Sequence, residues 1–172
     1  WENFKTSYAT REDLGGGVIL AQCHELDYLY WLFGKPRWIF AAGGELGNLE
    51  IGVEDTCKSV MEFENGIIAS LHVDFLSQPP SRFFEITGTT GRIYWDYFGK
   101  KVDLIPVKGK VVTVREPDGF ERNLMFIQEL EHLLQCIETK ERPSPDLKQG
   151  KDVLEMILAT KESLARKKVI YL

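Results

Sequence analysis

The sequence predicts an α+β fold, in which an open, mostly antiparallel β-sheet is covered on one face by helices. Strand patterns separated by turn residues fill the middle of the chain, and helical patterns occupy both of its ends. Because strands joined by short turns pair with their neighbours in sequence, we expect a meander of six or seven strands. A sheet of this size needs helices on at least one face.

The composition is that of one globular domain, because 172 residues with 44% hydrophobic content can bury a core. The net charge of −5 is spread among interspersed acids and bases, which argues against nucleic acid as a partner. No apolar run reaches the roughly 20 residues of a membrane span.

Cys23, Cys57 and Cys136 lack C-x-x-C spacing, which predicts free cysteines and a cytoplasmic protein. Because the first residue is Trp1, we expect a fragment of a longer protein.

The first helix is predicted over 17–33, and it is almost wholly apolar. It nevertheless carries four polar residues in its middle: Gln22, His24, Glu25 and Asp27. Burying such groups is costly unless each has a partner or a function. His24 and Asp27 are three residues apart, so they lie side by side on one helix face, together with Leu20 and Trp31. This helix is therefore the first candidate for a functional site.

Three glycines, Gly15 to Gly17, precede this helix. They do not fit the G-x-G-x-x-G dinucleotide fingerprint, which requires a preceding strand and another spacing. We expect them to form a loop and a helix entrance with unpaired backbone N–H groups and room for a ligand.

The remaining elements follow from turn signals and periodicity. Asn65-Gly66 is a strong hairpin signal, and Pro79-Pro80 interrupts the strand ladder. Strands are predicted over 37–46, 56–63, 67–75, 82–87, 92–97, 102–107, 110–115 and 169–172. Further helices, expected to cover the sheet, are predicted over 124–138 and 148–166.

The predicted sheet is rich in aromatic residues: Phe83, Phe84, Tyr94, Trp95, Tyr97 and Phe98. Three or four helices leave one face of such a sheet uncovered, and an uncovered apolar face is available for oligomerisation with a second copy of the chain. In the alternative interpretation, these rings only fill the core.

Five segments that span most of the chain carry a family resemblance: GGGVILAQCHELDYLYWLFG, SYATRED, VEDTCKSVMEFENGIIASLHVDF, RFFEITGTTGRIYWD and KKVIYL. Together they resemble the C-terminal domain of the Gfo/Idh/MocA oxidoreductases, the glucose-fructose oxidoreductase and inositol dehydrogenase family.

The resemblance implies a two-domain enzyme of which this chain is one part. Family members have an N-terminal Rossmann domain that binds NAD or NADP, with a lysine from a Glu-Lys-Pro motif. Their C-terminal domain binds the substrate and oligomerises. This sequence contains neither that motif nor a dinucleotide fingerprint. Residues 1–172 are therefore expected to be the C-terminal substrate-binding and oligomerisation domain, inactive without the Rossmann domain that is absent from this chain.

The resemblance also implies oxidation or reduction at a hydroxyl of a sugar, a sugar derivative or a polyol, with NAD or NADP bound mainly by the missing domain. His24 matches the family's histidine and is the expected catalytic base or its helper. The family has an aspartate four residues earlier, where this chain has Leu20, or Ala21 when counted from the glycines. Gln22 could replace it as a hydrogen-bonding group but cannot exchange a proton near pH 7.

Polar residues around this helix are candidates for binding the sugar: Lys5, Tyr8, Arg11, Gln22 and Asp27. The first three precede the glycines and could line the same cleft, although a basic residue there could equally be an ordinary solvated charge. Asp27 either orients the imidazole of His24 or caps nearby backbone. Cofactor contacts within this chain are expected only at Gly16 and Gly17.

Two other functional classes are open. A non-catalytic sugar-binding or dimerisation module of the same fold is favoured by the missing carboxylate. A metal-dependent hydrolase would have to use His24, Asp27, His72 and His132. No two of the histidines have the spacing of metal ligands, so no metal is expected.

Overall fold

The computed structural model describes residues 6–172. The helices of this part of the chain are α1 (Val18–Ala21), α2 (His24–Phe33), α3 (Asn123–Thr139) and α4 (Leu147–Arg166). Its strands are β1 (Pro36–Gly44), β2 (Thr56–Phe63), β3 (Ile68–Asp74), β4 (Phe83–Gly88), β5 (Gly91–Asp96), β6 (Lys101–Pro106), β7 (Val112–Arg115) and β8 (Ile170–Tyr171). The α+β prediction is confirmed, and every predicted strand is present.

The strands form two four-stranded antiparallel sheets, so the prediction of one continuous meander is wrong. The strand orders are β3-β2-β1-β8 and β4-β5-β6-β7. The boundary falls at Pro79-Pro80, since proline has no N–H to donate to a strand ladder. The chain correspondingly divides into two compact units: the described residues up to Leu76 together with Ser144–Leu172, and Ser77–Pro143.

In the first unit, β2 and β3 form the hairpin that Asn65-Gly66 predicts. Gly66 has φ +73°, the left-handed conformation that such a turn requires. Alternate residues of β2 are buried, among them Cys57, Met61 and Phe63, and the residues between them are more exposed. One face of this sheet is therefore the core face.

Helix α4 covers that core face. Met156 on α4 belongs to the same buried cluster as Ile39 and Phe63 of the sheet. The helix begins with a capping box: Asp146 Oδ1 accepts from Gln149 N at 2.9 Å, and Gln149 Oε1 accepts from Asp146 N at 2.7 Å. The first unit thus has the predicted arrangement of a sheet covered on one face by helices.

In the second unit, the strand register places eight apolar side chains on one face of the sheet: Phe84, Ile86, Ile93, Trp95, Val102, Leu104, Val112 and Val114. Polar residues such as Glu85 and Asp103 lie on the opposite face. The rings of Phe84 and Trp95 are 5.2 Å apart. None of the eight apolar residues is buried, and Val114 is 63% exposed. This apolar sheet face is therefore open.

Helix α3 also belongs to the second unit, and it does not provide the cover that its pattern predicts. Its stripe of apolar residues is exposed: Ile127, Leu130, Leu134 and Ile137. Only Cys136 of this helix is buried. The position of the helix is as predicted, but its apolar side chains are not packed as a sheet cover.

Candidate functional site

The predicted helix over 17–33 is interrupted, which corrects the expectation of one continuous apolar helix. Helix α1 ends at Ala21, and Gln22 has φ −114° and ψ 38°, outside the helical region. Helix α2 then begins at His24. The interruption therefore places His24 in the first turn of a new helix.

His24 and Asp27 lie on the exposed face of α2. Both residues are exposed, and Trp31, one turn further along, is 78% exposed. Residues three and four apart share a helix face, so these three form one surface. Leu20, which a continuous helix would add to it, lies in α1 and packs against the core. The expectation of a wholly buried helix is therefore wrong, and the imidazole is accessible to solvent.

Gln22 connects the helix interruption to the end of β3. Its side-chain amide donates from Nε2 to the carbonyl oxygen of Asp74 at 3.1 Å, and the hydrogen bond is partly buried. The Asp74 carboxylate accepts from the backbone N–H of Leu76 at 2.7 Å and lies 2.7 Å from Nε2 of His72. Sequence reasoning missed the His72–Asp74 pair, although residues two apart on a strand share a face.

The glycine segment is closed by hydrogen bonds rather than open. Gly16 N donates to Arg11 O at 2.8 Å, and Gly17 N donates to Ala9 O at 2.8 Å. Both glycines are buried. The expectation of unpaired backbone N–H groups at this entrance is therefore wrong.

Close packing explains why glycine occupies these positions. A Cβ atom on Gly16 would lie 2.7 Å from the backbone N and O of Arg11. At Gly17, with φ +113°, it would overlap the carboxylate of Glu54. The space in front of both glycines is filled by the chain itself, and contact with a cofactor there stays a prediction.

A surface depression of about 340 Å³ lies beside this segment, lined by Glu12, Gly15, Gly16, Gly44, Glu45, Gly52, Val53, Glu54 and Lys161. Its charged groups include Lys161, whose Nζ lies 3.8 Å from Oε1 of Glu54. His24 is not among the lining residues. The structure therefore brings Gly15 and Gly16, but neither Gly17 nor His24, to this depression.

Of the candidate sugar-binding residues before the glycines, Tyr8 and Arg11 are both exposed. Tyr8 is 66% exposed in a 3-10 turn. Arg11 donates from Nε to Asp13 Oδ1 at 3.0 Å, and this ion pair lowers the pKa of the Asp13 carboxyl. Lys5 lies outside the described residues. The guanidinium of Arg11 is therefore already paired, and Tyr8 is free to contact a ligand.

Three findings concern the described residues as a whole. Within residues 6–172, no three His, Cys, Asp or Glu side chains are grouped so that they could hold a metal ion. The same residues contain no helix with the length and apolarity needed to cross a membrane. The cysteines of this part of the chain are free, and burial raises the pKa of the Cys57 thiol to about 11.

Comparison with solved structures establishes the fold. An aldose-aldose oxidoreductase from Caulobacter crescentus, complexed with glycerol, aligns with a TM-score of 0.80 at 21% identity, over 98% of this chain and 51% of that chain. Levoglucosan dehydrogenase, complexed with NADH and levoglucosan, aligns with a TM-score of 0.84 at 19% identity, over 96% and 53%. At these identities the similarity concerns the fold alone, which this chain shares with about half of each of those two chains.

Sequence comparison gives the family. The model of the GFO/IDH/MocA C-terminal domain matches residues 1–94, more than half of the chain. The chain therefore belongs to the Gfo/Idh/MocA family, as the resemblance predicted. A 1,5-anhydro-D-fructose reductase from Ensifer adhaerens is 32% identical over 111 residues, 63% of this chain and 32% of that protein. The chain thus spans about a third of this relative and about half of the solved structures.

Proposed function

We propose that this chain is the C-terminal substrate-binding and oligomerisation domain of an NAD(P)-dependent oxidoreductase that acts on a hydroxyl of a sugar, a sugar derivative or a polyol. The observation that carries the proposal is the accessible imidazole of His24 in the first turn of α2, with Asp27 on the same face. The names of the relatives support this substrate class, since they include an anhydrofructose reductase and a levoglucosan dehydrogenase.

The described residues do not fit a dinucleotide by themselves. Dinucleotide phosphates are commonly bound by free backbone N–H groups at a helix start. Here the N–H groups of Gly16 and Gly17 already donate to the chain. Bound NAD or NADP supplies or accepts hydride in enzymes of this class, and the proposed Rossmann domain would hold it. The part of this chain is to hold the substrate and to move its proton.

In the proposed mechanism, His24 takes the proton from the substrate hydroxyl during oxidation and returns it during reduction. Histidine side chains exchange protons near neutral pH, and this ring is accessible from solvent. Asp27, three residues along the same face, is placed to orient the imidazole. The family's carboxylate position is Leu20 or Ala21 here, so proton transfer depends on His24 alone.

The second candidate function is a non-catalytic sugar-binding or dimerisation module. The absent carboxylate favours it, because Leu20 packs against the core and Gln22 is engaged with Asp74. Such a module binds the sugar without oxidising it. The two candidates therefore differ in sugar-dependent turnover of the nicotinamide cofactor.

A second copy of this chain is the proposed partner for the apolar sheet face. Eight apolar side chains share that face, and the most exposed of them is Val114 at 63%. A contiguous apolar patch of this kind is typical of an interface between subunits. Cytoplasmic location is also part of the proposal, and the free cysteines of the described residues support it.

The test is His24→Ala in the full-length protein, with levoglucosan plus NAD(P)⁺ and 1,5-anhydro-D-fructose plus NAD(P)H as probes. We expect kcat to fall by about 100-fold or more, while the Kd of the cofactor changes little. His132→Gln on the exposed surface of α3 is the matched control. Unchanged turnover of the His24 variant would remove this residue from the mechanism. Sugar binding without turnover in the unmodified protein would favour the non-catalytic module.

A further inference from the structure

The interruption between α1 and α2 consists of a well-defined bend at Gln22. The backbone N–H of Gln22 donates to Val18 O at 2.9 Å, which completes α1. The carbonyl of the same residue accepts from Glu25 N at 3.4 Å, which begins the next turn. Gln22 therefore ends the first helix one residue before Cys23, the N-cap of the second, so its conformation helps to set the angle between them.

The side chain of Gln22 fixes this bend to the first sheet. Its Nε2 donates to the carbonyl of Asp74, the last residue of β3. That carbonyl belongs to a rigid segment, because the next residue, Phe75, donates its N–H to Asp55 O at 2.9 Å. Asp55 is fully buried. The amide of Gln22 is thus bound to a part of the molecule that cannot easily move.

We propose that Gln22 is a positioning residue that sets the direction in which α2 presents His24 to the substrate. This inference rests on the proposed function, in which His24 exchanges the substrate proton. His24 follows the bend by two residues, so a rotation at Gln22 displaces the imidazole directly. A displacement of about 1 Å at a reacting group can lower the rate by about 100-fold.

The chemistry of the amide explains why glutamine suits this position. The acceptor is a carbonyl oxygen, so the side chain must donate, and a carboxylate at the same place would repel it. Methionine has a similar length but no donor. Asparagine keeps the donor but is one methylene shorter, so it cannot span the same 3.1 Å contact without moving the backbone.

A double-mutant cycle in the full-length protein separates positioning from general stability. With the two sugar probes named above, Gln22→Met is expected to lower kcat by roughly tenfold with KM changed by less than about twofold. In the His24→Ala background the same substitution is expected to cause no further loss, because the group that it positions is gone. Gln128→Met, on the exposed surface of α3, is the matched control and is expected to leave kcat unchanged.

The outcomes distinguish this inference from the proposed function. If the unmodified protein turns over neither sugar, the proposed function fails, whereas retained turnover in His24→Ala removes His24 from the mechanism and the role of Gln22 with it. If His24→Ala lowers turnover but Gln22→Met does not, or if the two losses multiply in the double variant, only the role of Gln22 is overturned. If the two losses of kcat multiply, Gln22 acts independently of His24, through the stability of the fold.

Amide hydrogen exchange on the 172-residue chain gives a readout that needs no substrate. In Gln22→Met, the amides of residues 23–27 are expected to exchange at least about tenfold faster than in the original chain, because a held bend becomes mobile. Those of residues 29–33 are expected to keep their rates. Unchanged exchange over 23–27 would overturn the proposal, even if neither sugar is turned over.

Discussion

The hydroxyl of Tyr30 donates a hydrogen bond to Oδ2 of Asp152 at 2.9 Å, which joins the helix of His24 to α4. Lys148 Nζ lies 2.7 Å from the same oxygen, one helical turn earlier on α4. The hydrogen bond from Lys148, followed by that from Tyr30, lowers the pKa of the Asp152 carboxyl. The ionised carboxylate of Asp152 therefore contributes to holding α2 against α4 more strongly than its protonated form would.

Tyr30→Phe is expected to lower the free energy of unfolding by about 1 kcal/mol at pH 7, since it removes one hydrogen bond to a carboxylate. The pKa of Asp152 is lowered in the folded state, so its stabilising contribution is present above the ordinary value of 3.8 and is lost as the pH falls through the folded-state pKa. The difference in free energy of unfolding between the variant and the original chain should therefore shrink at acid pH. Urea unfolding of both proteins at pH 7 and pH 3 measures this difference.

Tyr171→Phe is the control for this prediction, because it removes the hydroxyl of a residue that is 77% exposed. It is expected to leave stability unchanged at both pH values. The role assigned to the Asp152 carboxylate would be contradicted if the loss of unfolding free energy caused by Tyr30→Phe stayed the same or grew between pH 7 and pH 3.

The parts of the fold that the sequence predicts well depend on local chemistry. The Asn65-Gly66 turn and the alternation on either side of it predict the β2–β3 hairpin, because both signals lie within a few residues of each other. The bounds of α3 and α4 follow from periodicity and from the prolines between them. The shared helix face of His24 and Asp27 also follows from spacing within one short segment, whereas the exposure of that face was not predicted.

The parts that the sequence does not predict depend on contacts between distant residues. The bend at Gln22 is held by a carbonyl 52 residues further along the chain. Likewise, the strand patterns on either side of Pro79-Pro80 fit one sheet or two, and only the pairing distinguishes them. The close packing at Gly17 involves the carboxylate of Glu54, which no local pattern connects to Gly17.

Asp55 is a buried carboxylate on which the loop after β1 depends. It is 0% exposed, and its two oxygens accept from Leu46 N at 3.0 Å and Gly47 N at 2.8 Å. Asp55→Ala leaves both N–H groups without this acceptor, so the free energy of unfolding is expected to fall by about 2–5 kcal/mol. Asp55→Asn keeps one acceptor oxygen and should cost less. Urea unfolding of the chain at pH 7 measures both.

Asp118→Ala, at an exposed position, is the control for the Asp55 variants and is expected to change stability by less than about 0.5 kcal/mol. If Asp55→Ala and Asp118→Ala are equally stable, the carboxylate does not hold the loop.

Gly16 and Gly150 are expected to respond in opposite directions to alanine. At Gly16 the new Cβ would lie 2.7 Å from the backbone of Arg11, so the segment must move and stability should fall by about 1–3 kcal/mol. At Gly150, in α4, no atom beyond the neighbouring residues and backbone of its own helix lies within 4 Å of the Cβ position. There, alanine should add about 0.5–1 kcal/mol through its higher helix propensity. Thermal unfolding of both variants tests the pair, and a stabilising Gly16→Ala would show that the segment is not closely packed.

The open face of the second sheet predicts how the protein assembles. Val112 pairs with Leu104 in the apolar row of that face, and it is 54% exposed. A carboxylate at this position must lose its hydration when a second copy covers the face. The surrounding side chains of the face are apolar, so none of them offers a cation to pair with it. Val112→Glu is therefore expected to raise the Kd of self-association by about 100-fold or more, as measured by sedimentation of the full-length protein.

Thr87→Glu adds the same charge to the opposite face of the same sheet, where Thr87 pairs with Arg92. It is expected to leave self-association unchanged, so the comparison isolates the face rather than the charge. Because both variants carry the added carboxylate on an edge or near an edge of the sheet, a similar loss in each would indicate a general charge effect. An unchanged Kd of self-association in Val112→Glu would show that the subunits meet at another surface. The apolar sheet face would then have to be covered within a single chain.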